Sequence, residues 1–311
     1  MRKYLILITF LISVALCAKD FNYKFIDSKT NKEITFEKLT EELVKYDVIF
    51  FGEWHDDELL HILEADILLP IYEKNNNIAI TMEMFERDVQ TVLDSFLIGK
   101  IEETDFLKKT RAWRNYDPDY KPIIEFAKKH NLPVIAANIP RRYASRLSKQ
   151  GYEALLNLPE NEKQYFAEHL TVLEDEYQEN FFASMKANFG GKFPPGMEKR
   201  IYNMYMAQSF KDDTMAESIH KFLQENPGTK VIHYNGEFHS SSHLGTAQKL
   251  TLMNSGLKIA VISPILAEDE LVYSRSDLKI GDFLIVMNRY STEEELTEEQ
   301  KEKMFKAHNG K

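Results

Sequence analysis

Cysteine is almost missing from this chain: Cys17 stands alone among 311 residues. No disulfide can form within a monomer, so the fold must rest on its core. Cationic charge is also short, with 39 Lys and Arg against 49 Asp and Glu and a formal net charge of −10. Nucleic acid, which is bound through clustered cations set against phosphates, is excluded as a partner. Any anionic ligand must be held by a local basic cluster. The chain has no short repeat and no low-complexity tract. The apolar run Tyr4–Leu16 is too short to serve as a bilayer span, which needs about 20 residues.

That run has the layout of an export signal. Arg2 and Lys3 give a positive start, the apolar stretch follows, and Ala15 and Ala18 supply small residues near its end. Residues 1–17 are therefore expected to be a signal segment on an exported protein, and without Arg2 and Lys3 the remainder carries about −12. Cys17 sits at the junction. One reading is lipidation of its thiol after cleavage in Val14-Ala15-Leu16-Cys17, although Leu16 is bulkier than the usual residue before such a cut. The other is ordinary secretion with Cys17 lost or inert.

Hydrophobic residues at 43% and charged residues at 28% leave ample material for a core in a globular protein. Short runs rich in β-branched and aromatic residues alternate with helical patterns, as in βαβ units. The predicted strands are Asp47–Phe51, Ile78–Met82, Pro133–Ala137, Lys230–Tyr234, Lys258–Ser263 and Phe283–Met287, with a hairpin formed by Tyr23–Ile26 and Glu33–Phe36. Helices are predicted over Asp57–Glu73, Asp117–Lys129 and Ser240–Asn254. Residues 142–223 show helical periodicity without a strand, broken at Gly190-Gly191 and Pro194-Pro195-Gly196. The expected architecture is α/β: a mostly parallel central sheet flanked by helices (18–141 and 224–311) with an inserted all-helical subdomain (142–223). The tail, Thr292–Lys311, reads as a charged, solvent-facing helix.

Loops that follow parallel strands emerge on one sheet edge, where α/β proteins bind ligands. Here they carry Gly52-Glu53-Trp54-His55, Glu83-Met84-Phe85-Glu86, Asn138-Ile139-Pro140-Arg141 and Asn235-Gly236-Glu237-Phe238-His239. The two Gly-Glu-aromatic-His corners suggest a pseudo-symmetric site. His55 and His239 could ligate a divalent metal with Glu53, Glu83 or Glu237, or form a Glu–His acid–base pair. Equally, they could form a hydrogen-bond network that ties the loops together.

This ordered set of motifs resembles the ChaN-like haem-binding lipoproteins, within a wider clan of Tiki, TraB and erythromycin-esterase proteins, over roughly residues 35 to 290. The resemblance implies a bacterial envelope lipoprotein that binds haem during iron uptake, across a homodimer, tethered to a membrane and serving a haem receptor or transporter rather than acting as an enzyme. The clan also contains metal-dependent proteases and Glu/His hydrolases. The alternative it leaves open is thus a metal-dependent hydrolase using Glu53, His55, Glu83 and His239.

If haem is the cargo, the absence of Cys-x-x-Cys-His excludes thioether attachment, and iron must meet His, Met or Tyr. A Tyr phenolate favours oxidised haem, and segment 142–223 offers Tyr165, Tyr177, Tyr202 and Tyr205. Tyr165 is the first candidate ligand, because a helical i,i+4 spacing would place His169 on the same face; Tyr202 is next. Lys186, Lys192, Lys199 and Arg200 are candidate propionate partners, and Phe181, Phe182, Met185, Phe189, Met204 and Met206 a candidate apolar cover. Core packing and a solvated face are the competing explanations for these tyrosines and cations.

Overall fold

The computed structural model describes residues 22–267 and 270–288. The signal segment, Cys17 and the charged tail lie outside the described residues. Eight strands form one sheet: β1 Tyr23–Asp27, β2 Lys32–Ile34, β3 Val48–Glu53, β4 Ile78–Glu86, β5 Val134–Asn138, β6 Lys230–Gly236, β7 Ile259–Leu266 and β8 Phe283–Met287. Their order is β2-β1-β8-β7-β3-β6-β4-β5. The six strands from β8 to β5 run parallel, and the β1–β2 hairpin closes the β8 edge antiparallel. The sheet is mostly parallel, as the strand pattern predicts.

Among the described residues, twelve α-helices accompany it: α1 Phe36–Leu43, α2 Glu58–Asp66, α3 Leu68–Lys74, α4 Gln90–Leu97, α5 Glu103–Thr110, α6 Lys121–His130, α7 Arg141–Gln150, α8 Glu153–Leu156, α9 Glu160–Lys163, α10 Glu176–Asn188, α11 Glu198–Glu225 and α12 Gly245–Met253. The helix expected over Asp57–Glu73 is two helices that meet at Ile67. Pro70 has no N–H to give to the Asp66 carbonyl, so the ladder cannot run through. The helix expected from Ser240 begins only at Gly245, because Ser242 and His243 take positive φ of 58° and 57°.

Strand alternation sorts the core onto two faces. Ile49 and Phe51 of β3, with Ile232 and Tyr234 of β6, join the cluster covered by α2, α3, α4, α5 and α6. Val48, Phe50 and Val231 point the other way, onto Ala216 and Ile219 of α11 and Ala247 and Leu250 of α12. The carboxyl-terminal half of α11 thus packs directly on the sheet, within the stretch read from sequence as a helical insertion. Arg87, just after β4, bonds Glu217, Ser218 and the Thr214 carbonyl. Lys249 of α12 is buried against Asp213 at 2.8 Å. These two cations fix the depth and rotation of α11, which at 28 residues is about 42 Å long. Its amino-terminal half projects past the sheet beside α10.

Gly52 is glycine for space: an added Cβ would come to 3.1 Å from Glu237 Cα and 3.2 Å from the Ile262 carbonyl. Both neighbours are backbone, one in the turn that follows β6 and one in β7. Gly52→Ala should therefore cost about 1–3 kcal/mol in chemical denaturation; an unchanged midpoint would show that the strands separate freely here.

Candidate functional site

The strands β3, β6 and β4 lie side by side, and their carboxyl ends open into a crevice of about 530 Å³. Its lining includes Glu53 and His55 from β3, Glu83 from β4, and Gly236, Glu237 and His239 from β6. Phe181, Ser184 and Met185 of α10 roof it, and Gln208 and Lys211 of α11 form a side. The sequence-predicted residues Glu53, His55, Glu83, Glu237 and His239 are thus brought together. Arg141 is not: it is exposed at the start of α7, and Asn138 turns inward to donate to the Glu83 carbonyl. Lys211 supplies the crevice's cation in its place.

The two Gly-Glu-aromatic-His corners are not equivalent. Glu53 pairs in register with Gly236, so the corners are offset by one residue across the parallel ladder. The consequence is a reversal of roles. In the first corner Glu53 is buried and the His55 side chain is 45% exposed; in the second His239 is buried and Glu237 is only partly so. Gly236 permits this, because a Cβ there would meet the His55 ring at 2.8 Å.

His239 holds the crevice floor. Its Nδ1 lies 2.6 Å from Asp212 Oδ1 and its Nε2 3.2 Å from Glu83 Oε1. Asp212 also accepts from Tyr177 Oη at 2.6 Å and Thr246 Oγ1 at 2.8 Å, and Glu83 Oε2 accepts the Gly236 N–H at 2.8 Å. Burial disfavours the imidazolium, but the Glu83 and Asp212 charges outweigh it and raise His239 to about 9. Burial would likewise raise Glu83, and the His239 charge overrides it, holding the carboxyl well below its usual range. Both ring nitrogens of His239 therefore serve carboxylates.

His55 is different. Its Nδ1 bonds Glu53 Oε1 at 2.5 Å, Tyr120 Oη donates to the same oxygen at 2.7 Å, and Trp113 packs edge-on against the ring. Burial lowers the His55 pKa, yet the Glu53 hydrogen bond and the Glu83 charge leave it raised overall. Gln208, Lys211 and Asp212 are not singled out by the sequence, and Tyr177 is singled out there only as a candidate haem ligand. The one available signal is that Gln208, Lys211 and Asp212 fall at i, i+3 and i+4 of one helix, a polar patch on a helix otherwise rich in buried residues.

The tyrosine candidates separate clearly. Tyr177 and Tyr205 are buried, and their hydroxyls donate to Asp212 and to the Leu173 carbonyl. Tyr165 and His169 do not share a helix face, since α9 ends at Lys163 and residues 164–170 are irregular. The backbone there is held instead by side chains of α11: Thr214 accepts from Ala167 N–H and Glu217 from Glu168 N–H. Tyr165 packs beside Tyr143 and Phe166, with the Arg142 guanidinium 5.8 Å from its ring, and the His169 side chain is 83% exposed next to Glu168.

Tyr202, 40% exposed, lines a second, mainly apolar cavity of about 470 Å³ between α10 and α11. Phe182, Phe193 and Ile201 share it, with Lys186, Lys199 and Glu198. No hydrogen bond among the described residues uses the Tyr202 hydroxyl. Arg200 and Lys192 are exposed and do not line this cavity.

The charge on His239 sets a pH limit. A pKa raised on folding stabilises fully below the unfolded value near 6.5, and that stabilisation is lost as pH rises through about 9. Melting temperature should fall across that interval, by an amount on the order of 3 kcal/mol at most. His239→Asn should be less stable at neutral pH and lack this alkaline decline. A wild-type melting temperature flat from pH 6.5 to 9.5 would contradict the assignment.

The family profile described as haem-binding uptake, Tiki superfamily, ChaN matches residues 39–250. Among solved structures, a ChaN of Campylobacter jejuni with cofacially bound haem is similar at 20% identity, covering 86% of this chain and 97% of that one, with a TM-score of 0.64. That likeness establishes the fold. A mutant erythromycin esterase in its open conformation (11% identity, 94% and 88% covered, TM-score 0.46) and a type III effector, HopBA1 (9%, 87% and 98%, TM-score 0.45), are more distant. A search of curated proteins finds no significant match. With the profile spanning more than half of its length, this chain belongs to the ChaN haem-binding-uptake family of the Tiki superfamily.

Proposed function

We propose that this protein binds haem for uptake in the cavity between α10 and α11, with Tyr202 as the iron ligand. The carrying observation is the cavity itself, where an exposed phenol with an uncommitted hydroxyl stands among Phe182, Phe193 and Ile201. Haem needs an axial donor, an apolar face and cations for its propionates, and these residues fit all three. Lys186 and Lys199 would hold the propionates, with Glu198 tempering their charge. When bound, ferric haem would offer its iron to the Tyr202 phenolate, a ligand that favours the Fe(III) state. The chain's own contribution is to hold the ring and shield one face of it.

The cavity is open to solvent, so one hairpin covers one face. Phe189, 40% exposed near the hairpin tip, extends that apolar surface. This supports haem shared between two copies, in line with the cofacial arrangement named for the Campylobacter jejuni protein. A lipid on Cys17, in a bacterial envelope, would keep the dimer at a membrane surface where haem passes to or from a receptor or transporter.

Haemin titrated into the purified protein should give a shifted, saturable Soret band with tyrosinate charge-transfer features, and size measurement should show a haem-dependent dimer. Tyr202→Phe should weaken binding at least about tenfold, or ~1.4 kcal/mol, and remove those features; Tyr165→Phe should leave them. A flat titration, or loss on Tyr165→Phe alone, would refute the site.

Acid–base hydrolysis in the strand-end crevice is a second reading, favoured by the Glu53–His55 pair at an open mouth. Turnover of model esters that disappears with His55→Ala would support it. Rates equal to buffer would leave the pair structural.

A further inference from the structure

Behind the crevice floor lies a group of side chains that the haem site does not use. His61 and Glu64 stand one turn apart on α2, whose start is capped by Asp57, and both point at the buried end of β3. Glu53, His61 and Glu64 each present a ligand atom within 4.8 Å of the others, and all three residues are buried.

The tautomer of a neutral His61 follows from its neighbours. Its Nε2 lies 3.3 Å from the His55 carbonyl oxygen and 3.5 Å from Asp119 Oδ2. A carbonyl can only accept, so Nε2 carries the hydrogen, and in the neutral ring Nδ1 carries the lone pair. That lone pair faces Glu64 Oε2 at 3.0 Å and Glu53 Oε2 at 3.5 Å. In that tautomer three electron-rich atoms converge, with no cationic side chain among them. Moreover, Glu53 Oε2 and Glu64 Oε1 are fully buried and have no hydrogen-bond partner, a costly arrangement for carboxylates.

We propose that Glu53 Oε2, His61 Nδ1 and the Glu64 carboxylate bind a divalent transition-metal ion, zinc by preference. Bonds of about 2.0–2.1 Å place tetrahedral zinc ligands about 3.3–3.4 Å apart, and the two spacings from Nδ1 bracket that value. Two carboxylates neutralise the ion, and both Glu64 oxygens are available to it. The outer contacts are those of a metal site: Asp119 and the His55 carbonyl hold His61 Nε2–H, and Asn115 steadies both by donating to each. The ion would also lock Glu53, whose other oxygen orients His55 at the crevice mouth. This centre is distinct from the crevice residues Glu83 and His239.

The test is metal analysis of the purified protein unfolded in chelator and refolded with or without zinc. The proposal expects about one zinc per chain to survive dialysis, and a melting temperature on the order of 10 °C lower without it. Glu64→Gln, which mimics a protonated acid, should reduce bound zinc at least tenfold, whereas His239→Asn should keep it. No zinc retained by the wild type and an unchanged melting temperature would overturn the proposal. So would a Glu64→Gln protein as stable as the wild type refolded with zinc, since Glu64 would then hold only a proton. Should Glu64→Gln fail to fold, the wild-type stoichiometry decides alone.

Discussion

Carboxylates buried where three parallel strands end are costly unless a cationic group within the protein meets them. Glu83 of β4 and Asp212 of α11 both meet this requirement through the imidazolium of His239, which follows β6. The chain Glu83–His239–Asp212 therefore joins two neighbouring strands to the longest helix. Removing any member leaves buried charge uncompensated, which is far more costly than the pair's own net value. The placement of α11, and with it of α10, depends on this contact, reinforced by Arg87–Glu217 and Asp213–Lys249.

Once α11 is fixed, α10 becomes a wall common to both cavities. Phe181, Ser184 and Met185 face the crevice, while Phe182 and Lys186 line the apolar cavity on the other side. Most of α10 is partly or fully exposed, and only Tyr177, tied to Asp212, is buried. The helix is thus anchored at one end and lightly held along its length. The rigid ion chain and the adaptable hairpin are two parts of one arrangement.

Much of this was legible in the sequence. The parallel strands declared themselves through short β-branched runs, and the strand-end residues Glu53, His55, Glu83 and His239 followed from topology, since loops after parallel strands share one edge. Partners on helices were harder. Asp212, Lys211 and Gln208 lie in a 28-residue helix whose rotation is set by tertiary ion pairs that periodicity does not carry. The Tyr165–His169 pairing failed for a related reason: helical spacing was assumed where α11 side chains had captured the backbone. The offset of the two Gly-Glu-aromatic-His corners also needed the strand register, because a repeated motif says nothing of how its copies align.

The central claim is where the iron sits. A crystal structure of the haemin-loaded protein tests it most directly. The account predicts iron bonded to Tyr202 Oη between α10 and α11, with the propionates near Lys186 and Lys199 and a second copy over the open face. Iron bonded at Tyr165, or haem lodged in the crevice beside His55, would contradict it.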